Sequence, residues 1–287
     1  MRATRNSTTS SVSDLRTDTP PLTLGAVQTG APASAPVSHG LPDHDVSAEG
    51  LTKSFGKTQI FSDVNFRLVR GEAVALVGAN GTGKSTLLRC ILGLIPIDGG
   101  TVELLGQDVS AAKASQMRQL RSKTGLVAQK HNLVPRLTVL SNVLHGLLGQ
   151  QSGPRYWSQS FAPQAARDAA LAALDKVGLA HLAGRRADRL SGGQSQRVAI
   201  ARALIAQPKL LIADEPCASL DPSAGEEIMS MFFDLVRSEG VTVVFTSHHI
   251  EHALTYGDRV LGLAEGKLKL DATANSLAPS DLRGLYD

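Results

Sequence analysis

A glycine-rich loop comes first among the residues whose types and spacing could do chemistry. Residues 78–85 read Gly-Ala-Asn-Gly-Thr-Gly-Lys-Ser, follow an apolar run at 73–77 and precede a helical pattern. Glycines let backbone N–H groups curl around a phosphate, and the start of the following helix favours negative charge. The loop therefore predicts a nucleotide site in which Lys84 contacts the β- and γ-phosphates and Ser85 ligates Mg²⁺.

Two adjacent carboxylates follow another apolar run, at residues 210–213. In an α/β sheet, ligands bind where the strands end, so Asp214 and Glu215 are expected at the same edge as the glycine-rich loop. Asp214 is predicted to hold Mg²⁺ through its water shell, and Glu215 to polarise the attacking water. A strand that ends in acids is common by itself, and only the glycine-rich loop makes catalysis the preferred interpretation.

A third motif lies at residues 190–194, which read Leu-Ser-Gly-Gly-Gln and run into a helical pattern. A Ser-Gly-Gly turn at a helix N-terminus is a second anion site, although alone it is more often a linker or a turn. Its position between the two phosphate-handling motifs makes it specific. At this point the sequence resembles the ABC ATPase family, whose signature is this segment.

The resemblance implies roles for further residues. Gln129 matches the Q-loop glutamine, which contacts Mg²⁺ and links the site to a helical lobe. Residues 219–221 match the D-loop. His248 matches the switch histidine that contacts the γ-phosphate; the neighbouring His249 is the alternative, and the distance from the preceding strand favours His248. Phe55 matches the aromatic residue that stacks on adenine, where the family more often has tyrosine and where only a ring face is needed.

The motifs and the resemblance together define the full set of predicted site residues. The catalytic residues are Glu215, His248, Lys84 and Gln129. The Mg²⁺ ligands are Ser85, Gln129 and Asp214. The ATP-binding residues are Phe55, Gly78, Ala79, Asn80, Gly81, Thr82, Gly83, Lys84, Ser85, Thr86, Gln129, Ser191, Gly192, Gly193, Gln194 and Asp221. Two departures from the family pattern, Ser195 and Cys217, remove no catalytic group, so an active ATP hydrolase is expected.

Short apolar runs alternate with helical patterns after residue 46, which predicts an α/β fold. The runs lie at 64–69, 73–77, 101–104, 125–127, 210–213, 241–245 and 259–263, and the helical patterns at 84–92, 194–205 and 224–238. The region at about 130–188 is mostly helical in pattern, with a loop at 150–163, and predicts a separate α-helical subdomain. The resemblance implies a P-loop NTPase core with a mostly parallel sheet and an antiparallel β subdomain. Residues 1–45 predict a disordered tail, or a mis-assigned start codon, and 46–287 the ATP-binding domain.

Bulk composition excludes several classes of function. The net charge of +3, from 29 basic and 26 acidic residues, is too mild for a nucleic-acid binder. Two cysteines make no disulfide framework and fit a reducing compartment. No apolar run approaches the roughly 18 residues that span a bilayer. A membrane role is therefore expected to come through a partner.

Three stretches, at 132–144, 213–222 and 281–286, resemble the ATP-binding subunits of phosphonate importers. The resemblance implies import of a phosphonate or a related oxyanion such as phosphate or phosphite. It also implies a head-to-tail dimer of two copies, peripheral at the cytoplasmic face of the inner membrane. An integral membrane permease would dock near Gln129 and residues 134–142, and a periplasmic or surface substrate-binding protein would take part indirectly.

Two alternatives stay open. One is transport of another solute, such as an amino acid, or lipoprotein export. The other is a soluble ABC switch protein that acts in translation, DNA repair or an enzyme complex. Soluble members of those kinds usually carry two cassettes or long coiled-coil insertions, whereas each motif here occurs once and no long heptad array is present.

Overall fold

The computed structural model describes residues 43–151, 154–218 and 220–286, which all belong to the unit Leu41–Asp287. The predicted tail up to residue 42, and Ser219 of the predicted D-loop, lie outside the described residues. The first strand begins at His44, two residues before the predicted domain start. Asp45 belongs to the domain because its buried carboxylate accepts a hydrogen bond from Thr242 Oγ1 at 2.5 Å.

The described residues form ten strands and eight α-helices. The strands are β1 (His44–Phe55), β2 (Thr58–Val69), β3 (Ala73–Val77), β4 (Gly99–Leu104), β5 (Gln107–Asp108), β6 (Thr124–Val127), β7 (Leu210–Asp214), β8 (Thr242–Thr246), β9 (Arg259–Ala264) and β10 (Lys267–Thr273). The helices are α1 (Lys84–Ile91), α2 (Ala114–Ser122), α3 (Val139–Leu144), α4 (Gln164–Lys176), α5 (Gly192–Leu204), α6 (Pro222–Glu239), α7 (Ile250–Tyr256) and α8 (Pro279–Arg283).

A six-stranded sheet in the order β10-β9-β3-β8-β7-β6 forms the centre. Strands β9, β3, β8, β7 and β6 run parallel, and β10 pairs antiparallel with β9. The strand order puts β8 between β3 and β7, so the segments that follow these three strands are neighbours at one sheet edge. The glycine-rich loop follows β3, the carboxylates follow β7 and the two adjacent histidines follow β8.

Alternating side chains of the parallel strands enter two separate apolar cores. Val74, Leu76 and Ile212 pack with α1 and the antiparallel strands. Ala75 and Phe245 pack with α5, α6 and the helical region on the other face. Both faces are covered, which explains why these strands read as continuous apolar runs.

A second, antiparallel sheet has the order β2-β1-β4-β5. Strands β1 and β2 form a hairpin that turns at Gly56 and Lys57, with Phe55 paired to Thr58 at its end. The two sheets and the helices between them confirm the predicted α/β architecture, including its antiparallel part.

The region predicted as helical contains α3, α4 and four short 3₁₀ helices at His145–Leu147, Pro154–Trp157, Ala180–Leu182 and Ala187–Arg189. The second of these lies inside the predicted loop. Helix α3 is short but capped, because Thr138 Oγ1 accepts a hydrogen bond from the N–H of Ser141 at 3.2 Å. Helices α3, α4 and α5 pack against one another. No helix in the part of the chain that the structure describes has both the length and the apolar character to cross a bilayer.

Candidate active site

The glycine-rich loop is pressed between β2 and β9, and two of its glycines are required there. A Cβ atom on Gly78 would lie 2.1 Å from the carbonyl oxygen of Leu263, and one on Gly83 would lie 2.6 Å from Ile60 Cγ2. Both glycines also have positive φ, at 144° and 103°. Only glycine satisfies both conditions, so the path of the loop into α1 is fixed by its sequence.

Lys84 lies at the base of this loop with its side chain turned back onto the backbone. Its Nζ donates to the carbonyl oxygens of Gly78 at 2.8 Å and Ala79 at 2.9 Å. Burial lowers the pKa of the ammonium group, while attraction to Glu215 and Asp214 opposes that shift. The result is a buried cation beside two carboxylates, at the edge where the sequence predicts phosphates.

A cavity of about 260 Å³ opens above Lys84. Its lining residues are Ile60, Asn80, Gly81, Gly83, Lys84, Ser85, Thr86 and Glu215. Most of the predicted loop residues therefore face one space together with the predicted catalytic carboxylate. Ala79 and Thr82 instead shape the loop, because Thr82 Oγ1 donates to the carbonyl oxygen of Ala79 at 2.9 Å. Ile60 was not predicted as a site residue, because an apolar side chain in a strand gives no chemical signal.

Glu215 is held on both carboxylate oxygens by residues from two other loops. Its Oε2 accepts a hydrogen bond from Gln129 Nε2 at 2.8 Å. Its Oε1 lies 2.5 Å from His248 Nε2. The backbone of Glu215 has a φ of 51°, a left-handed conformation that costs a non-glycine residue free energy. Three residues that the sequence predicted from separate motifs thus meet at one carboxylate.

Thr246, the last residue of β8, connects the two predicted carboxylates and is a site residue that the sequence alone does not predict. Its hydroxyl donates to Asp214 Oδ1 at 2.8 Å and accepts from the N–H of Glu215 at 2.9 Å. The parallel register pairs Asp214 directly with Thr246. The sequence shows only a polar residue at the end of an apolar run. That residue can be assigned to the site only when β7 and β8 are known to be neighbours.

The two adjacent histidines take different places. His248 faces Glu215, whereas the His249 ring lies 4.9 Å from the His252 ring, centroid to centroid. His252 Nε2 is 3.2 Å from Glu226 Oε2, and burial lowers the pKa of its imidazole, with His249 adding to the shift. The geometry therefore favours His248 over its neighbour for the predicted switch role, which stays a prediction.

Residues 191–194 open α5 with a reciprocal cap. Ser191 Oγ accepts from the N–H of Gln194 at 3.2 Å, and Gln194 Oε1 accepts from the N–H of Ser191 at 3.1 Å. These residues line a different cavity of about 430 Å³, together with Arg197 and Asp221. The structure thus brings the predicted signature and D-loop residues to each other, in a cavity separate from the one above Lys84.

The segment after Gln129 is tied to the signature helix by contacts that the sequence did not reveal. Arg202 in α5 donates to the carbonyl oxygens of Asn132 at 2.8 Å and His131 at 2.7 Å. His131 Nε2 lies 3.1 Å from the carbonyl oxygen of Gly192. These contacts connect the segment after Gln129 to both the first and the last turn of α5.

Phe55 stands at the tip of the β1–β2 hairpin with 51% of its surface exposed. Lys53 Nζ lies 5.1 Å from the ring centroid and also forms an ion pair with Asp98 Oδ1 at 3.0 Å. Phe55 is not among the residues that line the cavity above Lys84. Its predicted stacking on adenine stays a prediction, which an exposed aromatic ring permits.

The oxygen donors near the glycine-rich loop suit Mg²⁺. Ser85 lines the cavity, and the carboxylate of Asp214 lies at the same sheet edge. No group of three or more His, Cys, Asp or Glu side chains that could hold a metal ion occurs among the described residues. Mg²⁺ in phosphate sites needs only one or two protein ligands, because waters and phosphate oxygens complete its octahedron. The residues present therefore fit this ion.

Neither cysteine is a reactive thiol. Cys90 is fully buried in α1, and burial raises the pKa of its thiol to about 11. Cys217 follows the Asp214–Pro216 segment, 3.8 Å from His252 Nδ1, and burial with the nearby Glu226 raises its pKa to about 11. Both thiols stay protonated at neutral pH.

Comparison with known proteins gives the class of this protein. Residues 61–218 match the family described as ABC transporter. This range includes the glycine-rich loop, Gln129, the signature segment and the two carboxylates. The chain belongs to the ABC transporter family, as a subunit that binds and hydrolyses ATP.

Two similar proteins are named more specifically. The chain is 46% identical over 241 residues to the phosphate-import ATP-binding protein PhnC of Mycolicibacterium smegmatis, covering 84% of this chain and 91% of that protein. It is 45% identical over 239 residues to the phosphonates import ATP-binding protein PhnC of Nocardia farcinica, covering 83% of this chain and 89% of that protein.

Solved structures of related cassettes share the fold. CbiO1 of Clostridium perfringens, part of the ABC transporter complex cbiONQ, has a TM-score of 0.72 and 29% identity over 82% of this chain and 90% of its own. The dimeric cassette MJ0796, bound to ADP and Pi after hydrolysis, has a TM-score of 0.70 and 33% identity over 80% of this chain and 98% of its own. The prediction of an ABC ATPase fold is thereby confirmed.

Proposed function

We propose that this chain uses ATP hydrolysis to drive import of a phosphonate, or a related phosphorus oxyanion, through a membrane permease. The observation that carries the hydrolytic half of the proposal is the position of Glu215 between Gln129 and His248, beside the phosphate cavity. The cargo is supported by the relatives named for phosphonate and phosphate import, at 45% and 46% identity.

ATP would place its phosphates in the cavity above Lys84. Phosphate oxygens would then replace the carbonyl oxygens of Gly78 and Ala79 as acceptors for the ammonium group. The N-terminus of α1 would add a favourable dipole, and the adenine ring would lie on the exposed face of Phe55. Ser85, Asp214 and Gln129 would hold Mg²⁺, which when bound neutralises charge on the phosphates.

Hydrolysis would begin with a water held by Glu215 in line with the γ-phosphate. The carboxylate polarises that water, and His248 donates a hydrogen bond to the γ-phosphate as negative charge develops there. Thr246 fixes the backbone that carries the carboxylate. The loop that carries Gln129 would couple changes at the site to movement of the helical region.

Two copies would form the working unit. The signature residues line their own cavity, away from Lys84, so one chain contributes complementary halves to two different sites. A head-to-tail pair would place the helix start at Ser191 and Gly192 of one copy against the γ-phosphate held by the other. The dimeric structure of the similar cassette MJ0796 supports this arrangement.

The pair would be peripheral at the cytoplasmic face of the inner membrane, bound to the permease. The Gln129 loop is the proposed contact, together with residues 134–142. Arg202 and His131 join this loop to the signature helix, so closure of the pair would move the permease contact. A substrate-binding protein would deliver the cargo from the other side.

Uptake by cells tests the cargo. The gene is deleted in a host that lacks its other phosphorus importers, and growth is measured on a phosphonate, phosphite or phosphate as sole phosphorus source. Loss of growth on the phosphonate, restored by the wild-type gene and not by Glu215→Gln, is the expected result. Loss of growth on phosphate alone would instead identify phosphate as the cargo.

Normal growth on all three sources would reject a phosphorus cargo. Pull-down of the tagged chain then separates the remaining classes. A copurifying integral membrane protein keeps the transport function, whereas recovery only in soluble complexes contradicts it.

A further inference from the structure

The residues after α8 return to the sheet edge and contact both loops of the active site. The carbonyl oxygen of Leu285 accepts a hydrogen bond from the N–H of Ala79, in the glycine-rich loop, at 2.8 Å. The hydroxyl of Tyr286 donates to the carbonyl oxygen of Ser247 at 3.0 Å. Two consecutive residues thus join the loop after β3 to the loop after β8.

The segment is anchored by packing as well as by these hydrogen bonds. The side chain of Leu285 lies against Gly262 in β9, where an added Cβ atom would come within 2.5 Å of Leu285 Cδ1. Both Leu285 and Tyr286 pack on the core that includes α6 and α7. The position of the segment is therefore fixed independently of its two loop contacts.

The Tyr286 contact acts on the peptide bond that leads into His248. The carbonyl of Ser247 and the N–H of His248 belong to one planar peptide group, so a hydrogen bond to that carbonyl orients the backbone of His248. The same serine is fixed from the other side, because its Oγ accepts from the N–H of His249 at 3.0 Å and lies 3.1 Å from His252 Nδ1. The loop is thus held at two points.

Tyr286 can donate this hydrogen bond throughout the physiological range. Burial, with the negative charge of Glu251 adding to it, raises the pKa of the phenol to about 12. The side chain is a permanent donor, and the carbonyl oxygen is a permanent acceptor.

We propose that Leu285 and Tyr286 form a strap that sets the distance between the glycine-rich loop and His248, with Tyr286 as a positioning residue for hydrolysis. The inference rests on the proposed role of His248 at the γ-phosphate. ATP binds the glycine-rich loop and His248 acts on its terminal phosphate, so an error in their separation affects the chemical step more than binding.

Tyr286→Phe removes the hydroxyl and keeps the ring. The expected result is a fall in kcat for ATP of about fivefold, with KM changed by less than about twofold, as for loss of one hydrogen bond that serves the chemical step. Steady-state phosphate release gives both constants. Tyr156→Phe, the same substitution in the 3₁₀ helix at Pro154–Trp157, is the matched control and should change neither constant.

A second measurement separates positioning from anchoring. If Tyr286 acts through His248, the double variant His248→Ala with Tyr286→Phe should be no slower than His248→Ala alone. A purely structural tyrosine would instead lower the thermal midpoint and the stoichiometry of bound ATP, and its effect on kcat would add to that of His248→Ala.

The inference is overturned if Tyr286→Phe leaves kcat unchanged, if kcat falls only in proportion to the folded fraction, or if the two substitutions are additive. These outcomes differ from failure of the proposed role of His248, on which the inference rests. In that case His248→Ala itself would retain full turnover, whatever the behaviour of Tyr286→Phe.

Discussion

The edge that carries Glu215 and the start of α5 are both predicted to handle one nucleotide, but their side chains are held differently. Glu215 is bonded by residues from the loops after β6 and β8, at distances of 2.8 and 2.5 Å. At α5, Ser191 and Gln194 cap each other within a single turn. The first region is a network of distant segments, and the second is a local motif.

This difference indicates that one chain assembles the catalytic half of a site by itself, but not the complete site. A network drawn from several strands fixes its catalytic groups before the substrate arrives, which favours chemistry. A helix N-terminus favours an anion, which here has to be supplied from elsewhere. The two cavities are separate, so this chain does not bring its own halves together.

The largest effect is expected from Glu215→Gln, which tests the network directly. Loss of the carboxylate would remove the proposed general base, so ATP turnover should fall by about 100-fold or more while ATP binding persists. Phosphate release and calorimetric titration measure the two properties. Glu103→Gln, in β4, is the control and should keep wild-type turnover; equal turnover in both variants would contradict the proposed base.

Mixing two inactive variants tests whether the α5 start serves another copy. Ser191→Arg would disrupt the signature half of a site, and Glu215→Gln would disrupt the catalytic half. In a mixed pair, one of the two sites combines the intact catalytic half of one copy with the intact signature half of the other. Random pairing should restore about a quarter of wild-type turnover. The activity of the mixture, compared with each variant alone, is the measurement, and melting curves check that both variants fold. A mixture with no recovery would argue against shared sites.

Thr246→Val tests how much the activity of the Glu215 network depends on a single hydroxyl. The substitution removes the donor to Asp214 and the acceptor for the N–H of Glu215, so kcat should fall about tenfold with little change in KM. Thr242→Val, at the opposite end of β8, is the matched control. It removes a buried hydrogen bond to Asp45 and should lower the melting temperature without lowering kcat per folded molecule. Equal kcat in the two variants would contradict the role of Thr246.

The smallest expected effect is a loss of folding stability at acidic pH. The pKa of His252 is lowered by burial in the folded chain, so the unfolded chain takes up the proton first as the pH falls. The free energy of unfolding should therefore decrease below about pH 6.5, the ordinary value for histidine. The groups around His252 are His249, which lowers its pKa further, Glu226 and Glu251, which oppose the shift, and Ser247, Cys217 and Tyr256.

Urea unfolding at pH 8 and pH 5.5 measures this loss of stability. His252→Gln should show a smaller difference between the two pH values than the wild type. The α5 cap contains no titratable side chain, so Ser191→Ala should lower stability by about 1 kcal/mol at both pH values. A pH slope that survives in His252→Gln would assign the acid effect to other groups.

Features that are formed by consecutive residues could be predicted from the sequence. The loop at residues 78–85, the turn that leads into the helix after Ser191, and the apolar strands of the central sheet are each encoded by consecutive residues. The family resemblance then placed Gln129 and His248, which have no such pattern around them. Gln129 and His248 lie with Glu215 at the sheet edge where the strand order brings their loops together.

Contacts between distant segments could not be predicted in this way. Thr246 acquires its role only from the register of β8 with β7, and Ile60 only from the hairpin that packs over Gly83. The bond from Ala79 to Leu285 joins residues more than two hundred positions apart. Neither partner has a side-chain chemistry that would mark it, because the bond runs between two backbone groups.

The unreactive state of Cys90 and Cys217 has a practical consequence. With thiol pKa values of about 11, both present almost no thiolate to an alkylating label near pH 7. A cysteine introduced at an exposed position such as Gln107 or Arg118 would be modified in preference to them. Distances between spin or fluorescent labels on two copies could then follow closure of the pair during turnover, with the native cysteines left in place.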